Sequence, residues 1–436
     1  MRFLHSSTVA LGLLSALVVS ACTSTSTIPQ PGVVHLPVAP EAARVDLAMP
    51  TFSNPTNVTN PLFPASSQAS VLLVGTVDGR AFRTEVTLLP GTRIIEWGGQ
   101  SVEVLVSQYM AYLDGRIHEV AYDFYAQADD GSVWYFGEDV FNFADGAIAN
   151  THGTWLAGRD GPAAMIMPAD PKVGDVYRPE NIPGLVFEEV TVKRVGQTLD
   201  GPLGPIEGGI AVQELHMDGA TEDKTFAPAY GEFLTSDGVD TEALAMAVPT
   251  DATSGSVPVS MTTIADGAAT VYAAADARSW DAASAAVEDM TTAWADAALG
   301  NVPRLIEPLL ADALDALGKA VNDHDAEAAR QAAINVAQWS LDLQLRYRPV
   351  TEVDIGRFDL WLAQLQLDAE AEDAGGVSGD LLTLDYIRDR ILRGMEASTA
   401  AELNLAVEEL QTAVTDADFG AASEIAQGLR DLVAGL

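Results

Sequence analysis

The sequence predicts an α+β chain in two domains, an N-terminal antiparallel β meander and a C-terminal all-α bundle or helical-hairpin repeat. Three observations predict it. From about residue 71 to residue 236 apolar residues alternate with a period of two, and Asp-Gly pairs punctuate the alternation. Beyond residue 263 the composition turns to Ala, Leu, Asp and Glu, and the apolar period becomes about 3.6. Between the two, residues 251–263 (DATSGSVPVSMTT) have the Ser, Thr, Gly and Pro of a connection.

Composition narrows the function classes. Of the 436 residues 48% are hydrophobic, which gives enough apolar surface for packed cores. Asp and Glu number 62 against 23 Lys and Arg, a formal net charge of −39. Without a basic patch to displace phosphate counterions, nucleic acid is excluded as a partner. The acidity otherwise reads as a solvated surface.

The chain opens MRFLHSSTVALGLLSALVVSAC: Arg2, then a largely apolar run at residues 9–19, then small residues before Cys22. That run is too short to span a bilayer and reads as a signal peptide. Val19-Ser20-Ala21-Cys22 resembles the lipobox of bacterial lipoproteins, and this resemblance implies acylation of Cys22. The expected boundaries are a lipoprotein signal peptide at 1–21, a flexible tether at 22–50, the β domain at 51–240, a linker at 241–263 and the helical domain at 264–436.

In the β region, Asp78-Gly79, Asp114-Gly115 and Asp130-Gly131 each separate two β-rich arms. Asp-Gly suits a two-residue type I′ turn, because both central residues need positive φ. With further strands at 186–195, 210–217 and 224–235, about ten neighbouring strands are expected, curved as a half-barrel or closed as a barrel. In the helical region Ile334, Ala337, Leu341 and Leu345 form one stripe, and Phe358, Trp361, Leu362 and Leu365 form another. Asp281, Asp325 and Asp418 read as N-caps of similar Ala-rich segments, and Thr399-Ala400-Ala401-Glu402 as a capping box.

Candidate chemistry centres on DFYAQADDGSVWYFGED, residues 123–139. If Asp130-Gly131 is a two-residue loop, Tyr125 lies opposite Phe136 and Asp123 opposite Glu138. Tyr125, Trp134 and Phe136 then share one face and are the expected ligand contacts. Like charges directly across a strand pair are destabilising. Asp123 and Glu138 are therefore screened by solvent, bridged by a divalent cation such as calcium, or share a proton as an acid–base pair. No established catalytic motif is complete. His118-Glu119 begins like HExxH but lacks the second His, the acidic clusters lack EF-hand spacing, and no GxSxG is present.

FSNPTNVTNPLFP (52–64), the 123–139 stretch, MIMPADPKVGDVYRPE (165–180) and APAYGEF (227–233) resemble uncharacterised bacterial envelope lipoproteins. The order of parts is similar to the LolA/LppX-like half-barrel lipoproteins, whose sheet shelters an apolar ligand or partner. The resemblance covers residues 52–236 and brings no catalytic residue. It implies a non-enzymatic protein, lipid-anchored to a membrane of the cell envelope and facing the periplasm or exterior. Such a protein binds an apolar or amphipathic ligand in the β domain, another envelope protein through the helices, or both. The alternatives are a divalent-cation-binding envelope protein and an envelope hydrolase with a carboxylate pair.

Overall fold

The computed structural model describes residues 36–298 and 300–436. The expected signal peptide, Cys22 and the first part of the tether lie outside the described residues.

The first strands are β1 (Ser70–Val77), β2 (Arg80–Trp97), β3 (Gln100–Leu113), β4 (Arg116–Gln127) and β5 (Val133–Ala144). Short strands β6 (Ala147–Asn150), β7 (Trp155–Leu156) and β8 (Ala164–Met167) follow, then β9 (Val176–Ile182) and β10 (Val186–Gly201). The region ends with β11 (Gly204–His216), β12 (Thr221–Ala227), β13 (Gly231–Ser236) and β14 (Thr241–Val248). All pair in one antiparallel sheet in the order β6-β5-β4-β3-β2-β1-β14-β13-β12-β11-β10-β9, with β7 and β8 on β5. The sheet is a curved, open meander, and the pairing of β1 with β14 joins its two halves. Residues 241–248 therefore belong to the sheet and not to a linker. Their run Ala243–Val248 is apolar without alternation, because the strand is covered on both faces.

Asp78-Gly79 (φ 53 and 71) and Asp114-Gly115 (φ 49 and 76) adopt the positive φ pairs of type I′ turns. Asp130-Gly131 does not. Gly131 N–H donates to Ala128 O at 2.9 Å and Ala128 N–H to Ser132 O at 2.8 Å, which makes a three-residue loop at 129–131. Pairing beside the loop therefore moves by one residue, and Tyr125 faces Tyr135 instead of Phe136. Gly137, at φ 115, then supplies a bulge that restores the expected register, so Asp123 does face Glu138.

The expected tether is docked from residue 36 onward, against the far edge of the sheet. Val45 N–H donates to Val176 O at 2.9 Å, and Arg178 N–H donates to Asp46 Oδ2 at 3.0 Å. Farther on, the Ser53 N–H donates to Asp129 at 2.7 Å, fixing the segment over the hairpin loop.

Among the described residues eight α-helices follow: α1 (Val259–Asp276), α2 (Trp280–Ala298), α3 (Ile306–Asn322), α4 (Ala326–Gln344), α5 (Val350–Glu370), α6 (Ala374–Ile391), α7 (Ala397–Thr415) and α8 (Phe419–Val433). They form four hairpins with one turn design. Arg278, His324, Glu372 and Ala417 each take φ of 54–56 just past a helix end. The next residue in each, Ser279, Asp325, Asp373 and Asp418, donates its N–H back to the carbonyl five residues earlier. This is the hydrogen bond of the Schellman motif. Asp325 and Asp418 are the N-caps expected, and Asp373 caps the intervening unit; Asp281 instead sits in the first turn of α2. Thr399 lies inside α7, so the expected capping box is not a helix start.

The helices pack on the outer face of the sheet. Leu72 and Val74 of β1 and Met246 and Val248 of β14 share one core with Ile264, Ala268 and Val336 of the helices. The helices thus buttress β1–β3 and β14 from outside, and the inner face of the sheet encloses a cavity.

Candidate ligand-binding cavity

Period-two patterning divides each strand between the helix-backed outer face and the inner face. The inward set encloses a cavity of ≈ 180 Å³. Its apolar lining includes Val71 and Leu73 of β1, Val86 and Leu88 of β2, Ile166 of β8 and Phe226 of β12. Tyr125, Tyr135 and Tyr177 also line it, beside a concentration of acids: Asp123, Glu138, Glu180, Glu188, Glu214 and Glu232.

Asp123 is 9% exposed, and burial pushes its carboxyl up to about 6, against a hydrogen bond from the Tyr135 hydroxyl at 2.6 Å. Glu138, directly across the strand pair, is held well above the usual carboxylate range by burial and then by Glu180 and Asp123. Tyr125 stacks on Tyr135 at 5.1 Å between centroids and meets Phe63 edge-on at 4.9 Å. Among the sequence-predicted contacts Tyr125, Asp123 and Glu138 therefore do converge on the cavity. Trp134 and Phe136 do not. They face the other side, where both pack against Trp97 and Phe136 also meets Phe52. The one-residue loop offset and the Gly137 bulge put Tyr135 in the place expected of Phe136.

A second polar group lies on β10–β12. Lys224 Nζ is 2.5 Å from Glu214 Oε2, and His216 Nε2 is 3.3 Å from Glu222 Oε2. Burial disfavours the charged imidazole, yet Glu188 and Glu222 overcome it and raise His216 to about 10. Burial and then Glu188 push Glu214 up to about 8, with Lys224 pulling the other way. Glu214, His216 and Glu222 each offer a ligand atom within 4.8 Å of the others, which makes them the one grouping of three or more such residues among the described residues that could hold a metal ion. Asp123 and Glu138 are outside it.

The strands were expected at 186–195, 210–217 and 224–235, but their charged residues were not read as a site, although a signal was there. Glu188, Val190 and Val192 share one phase of β10, as do Val212, Glu214 and His216 on β11, and Glu222, Lys224 and Phe226 on β12. Charges on the apolar phase of an alternating strand mark a polar group facing inward.

No protein-family model matches the chain, and no curated protein matches it significantly.

Proposed function

We propose that this is a non-enzymatic binding protein that holds an amphipathic small molecule in the half-barrel. The observation that carries this reading is the mixed lining of the cavity, aliphatic residues of β1 and β2 together with tyrosines and buried carboxyls on β4, β5 and β9–β11. Concave sites that are mostly apolar with a few convergent polar groups bind small molecules by enclosing the apolar part and orienting the polar part. The lipobox-like residues around Cys22 support an anchor in the cell envelope, which would bring the cavity to a membrane surface.

Native mass spectrometry of the gently purified chain, with and without a chelator, tests the reading. A retained organic mass that survives chelation supports it, and a bare chain in both spectra counts against it. A second reading, a divalent-cation site, is favoured by the Glu214, His216 and Glu222 grouping. It requires a stoichiometric metal that the chelator removes and that His216→Ala abolishes.

A further inference from the structure

We infer that the ligand of this cavity is a cationic amphiphile, a protonated amine with an apolar tail, whose head lies against Asp123 and Glu138. The inference rests on the cavity being a binding site for an amphiphile.

The charge of the lining favours a cation. The lining contains seven Asp and Glu side chains against Lys224 and His152, with no arginine among the described residues. Lys224 is already engaged by Glu214. On the Asp123 and Glu138 side, no lysine or arginine pairs with either carboxyl among the described residues, and Tyr135 satisfies only one oxygen of Asp123. Buried carboxylates are stable when paired with a cation and hydrogen-bonded, and costly otherwise. A carboxylate, sulfate or phosphate head would add like charge to this wall.

Tyr177 lines the cavity, is 1% exposed, and its hydroxyl has no hydrogen-bond partner. A buried hydroxyl is ordinarily paired, so an unpaired one on a residue of the cavity lining favours a ligand group that hydrogen-bonds. An ammonium carries N–H donors for the carboxylates, which a quaternary ammonium lacks, and Tyr177, near Glu214 and Lys224, leaves a further acceptor in the same lining. The tyrosines also offer ring faces to a cation. The aliphatic residues of β1 and β2 would take the tail.

Calorimetric titration of the full chain with dodecylamine, dodecanol and dodecanoate, each below its micellar concentration, separates the possibilities. Dodecylamine is expected to bind with a stoichiometry of one, about tenfold or more tighter than dodecanol, and dodecanoate weakest. In the Asp123→Asn, Glu138→Gln double variant the amine should lose that advantage. Tyr177→Phe, which removes one oxygen and keeps the ring, should weaken the amine without unfolding the chain. If dodecanol or dodecanoate matches the amine, the charge inference is overturned and the amphiphile reading stands. If none of the three binds, both fall. Amine binding that survives in the double variant and disappears with added salt identifies adsorption to the acidic surface, and overturns the inference as well.

Discussion

The Arg390 guanidinium of α6 donates to the Glu85 carboxylate of β2 at 2.6 Å, with both side chains 1% exposed. This pair sits on the seam between sheet and helices. Around it Arg357 reaches Asp342 at 2.6 Å and Asp354 at 2.9 Å, and Arg83 joins Glu85 at 2.7 Å to Asp342 at 2.8 Å. Burial alone would raise Glu85, but Arg357, Arg83 and Arg390 together hold it far below the usual carboxylate range. The network ties α4, α5 and α6 to β2 through contacts between buried charges. The sheet that shapes the cavity is therefore braced from behind by helices far along the chain.

Glu85→Gln tests the brace. It leaves three buried guanidinium groups with one carboxylate fewer, and breaking such a pair costs about 3–5 kcal/mol. Chemical denaturation should show that loss, with the sheet and helices unfolding in one transition. A change below about 0.5 kcal/mol would mean that the seam contributes little to stability.

Stability should fall as pH rises from about 5 to 9. Burial raises Glu242 and Glu214 to about 8, so the folded chain holds their protons where the unfolded chain, near its ordinary value of about 4.3, has released them. His216 acts in the same direction. Raised to about 10, it stabilises fully below about 6.5 and loses that contribution as pH passes upward through its folded value. Below about pH 4.5 the sign reverses, because Glu85 and Glu188 are held low and their contributions vanish as they are protonated. Thermal melts across pH should peak near pH 5, and Glu242→Gln should flatten the fall between pH 5 and 8.

The helical turns offer a gain. Ala417 sits at φ 54 between α7 and α8, a left-handed position that glycine adopts without a Cβ penalty. Ala417→Gly should stabilise by about 1 kcal/mol, seen as a higher melting temperature. The same substitution at His324 is less clean, because its ring stacks on Trp280 at 4.9 Å.

What was legible in the sequence follows from how local each determinant is. The Asp78-Gly79 and Asp114-Gly115 turns are written in two adjacent residues, and the structure has them as read. The four-unit repeat was only partly visible, because Asp373 opens its unit with Gly376 where its counterparts carry Ala282, Ala328 and Ala421, while the shared left-handed turn residue varies from Arg to His, Glu and Ala. Strand β14 was invisible as a strand, since its apolar run Ala243–Val248 lacks alternation. The Asp123 and Glu138 pairing was expected from a two-residue loop that the structure does not have, and it holds because the Gly137 bulge offsets the longer loop. Trp134 and Phe136 were misplaced, because a loop longer by one residue and a bulge at Gly137 depend on contacts with Ser53 and Trp155 that no local pattern encodes.

Gly137 is where these threads meet the site. Its φ of 115 creates the bulge, and a Cβ there would lie 2.2 Å from the carbonyl oxygen of Trp155 on the neighbouring strand β7. Gly137→Ala therefore strains the backbone and pushes β7 away, at a cost of about 2 kcal/mol or more. Because the bulge sets Glu138 opposite Asp123, the variant should also lose the carboxyl pair and with it the preference for an amine head. Gly131→Ala is the control. Gly131 also has positive φ, 91, but a Cβ there meets only the Ala169 methyl at 3.4 Å, and Gly131 does not line the cavity. It should cost about 1 kcal/mol and leave amine binding intact. Equal binding losses in the two variants would show that general destabilisation, not the register of β5, governs the site.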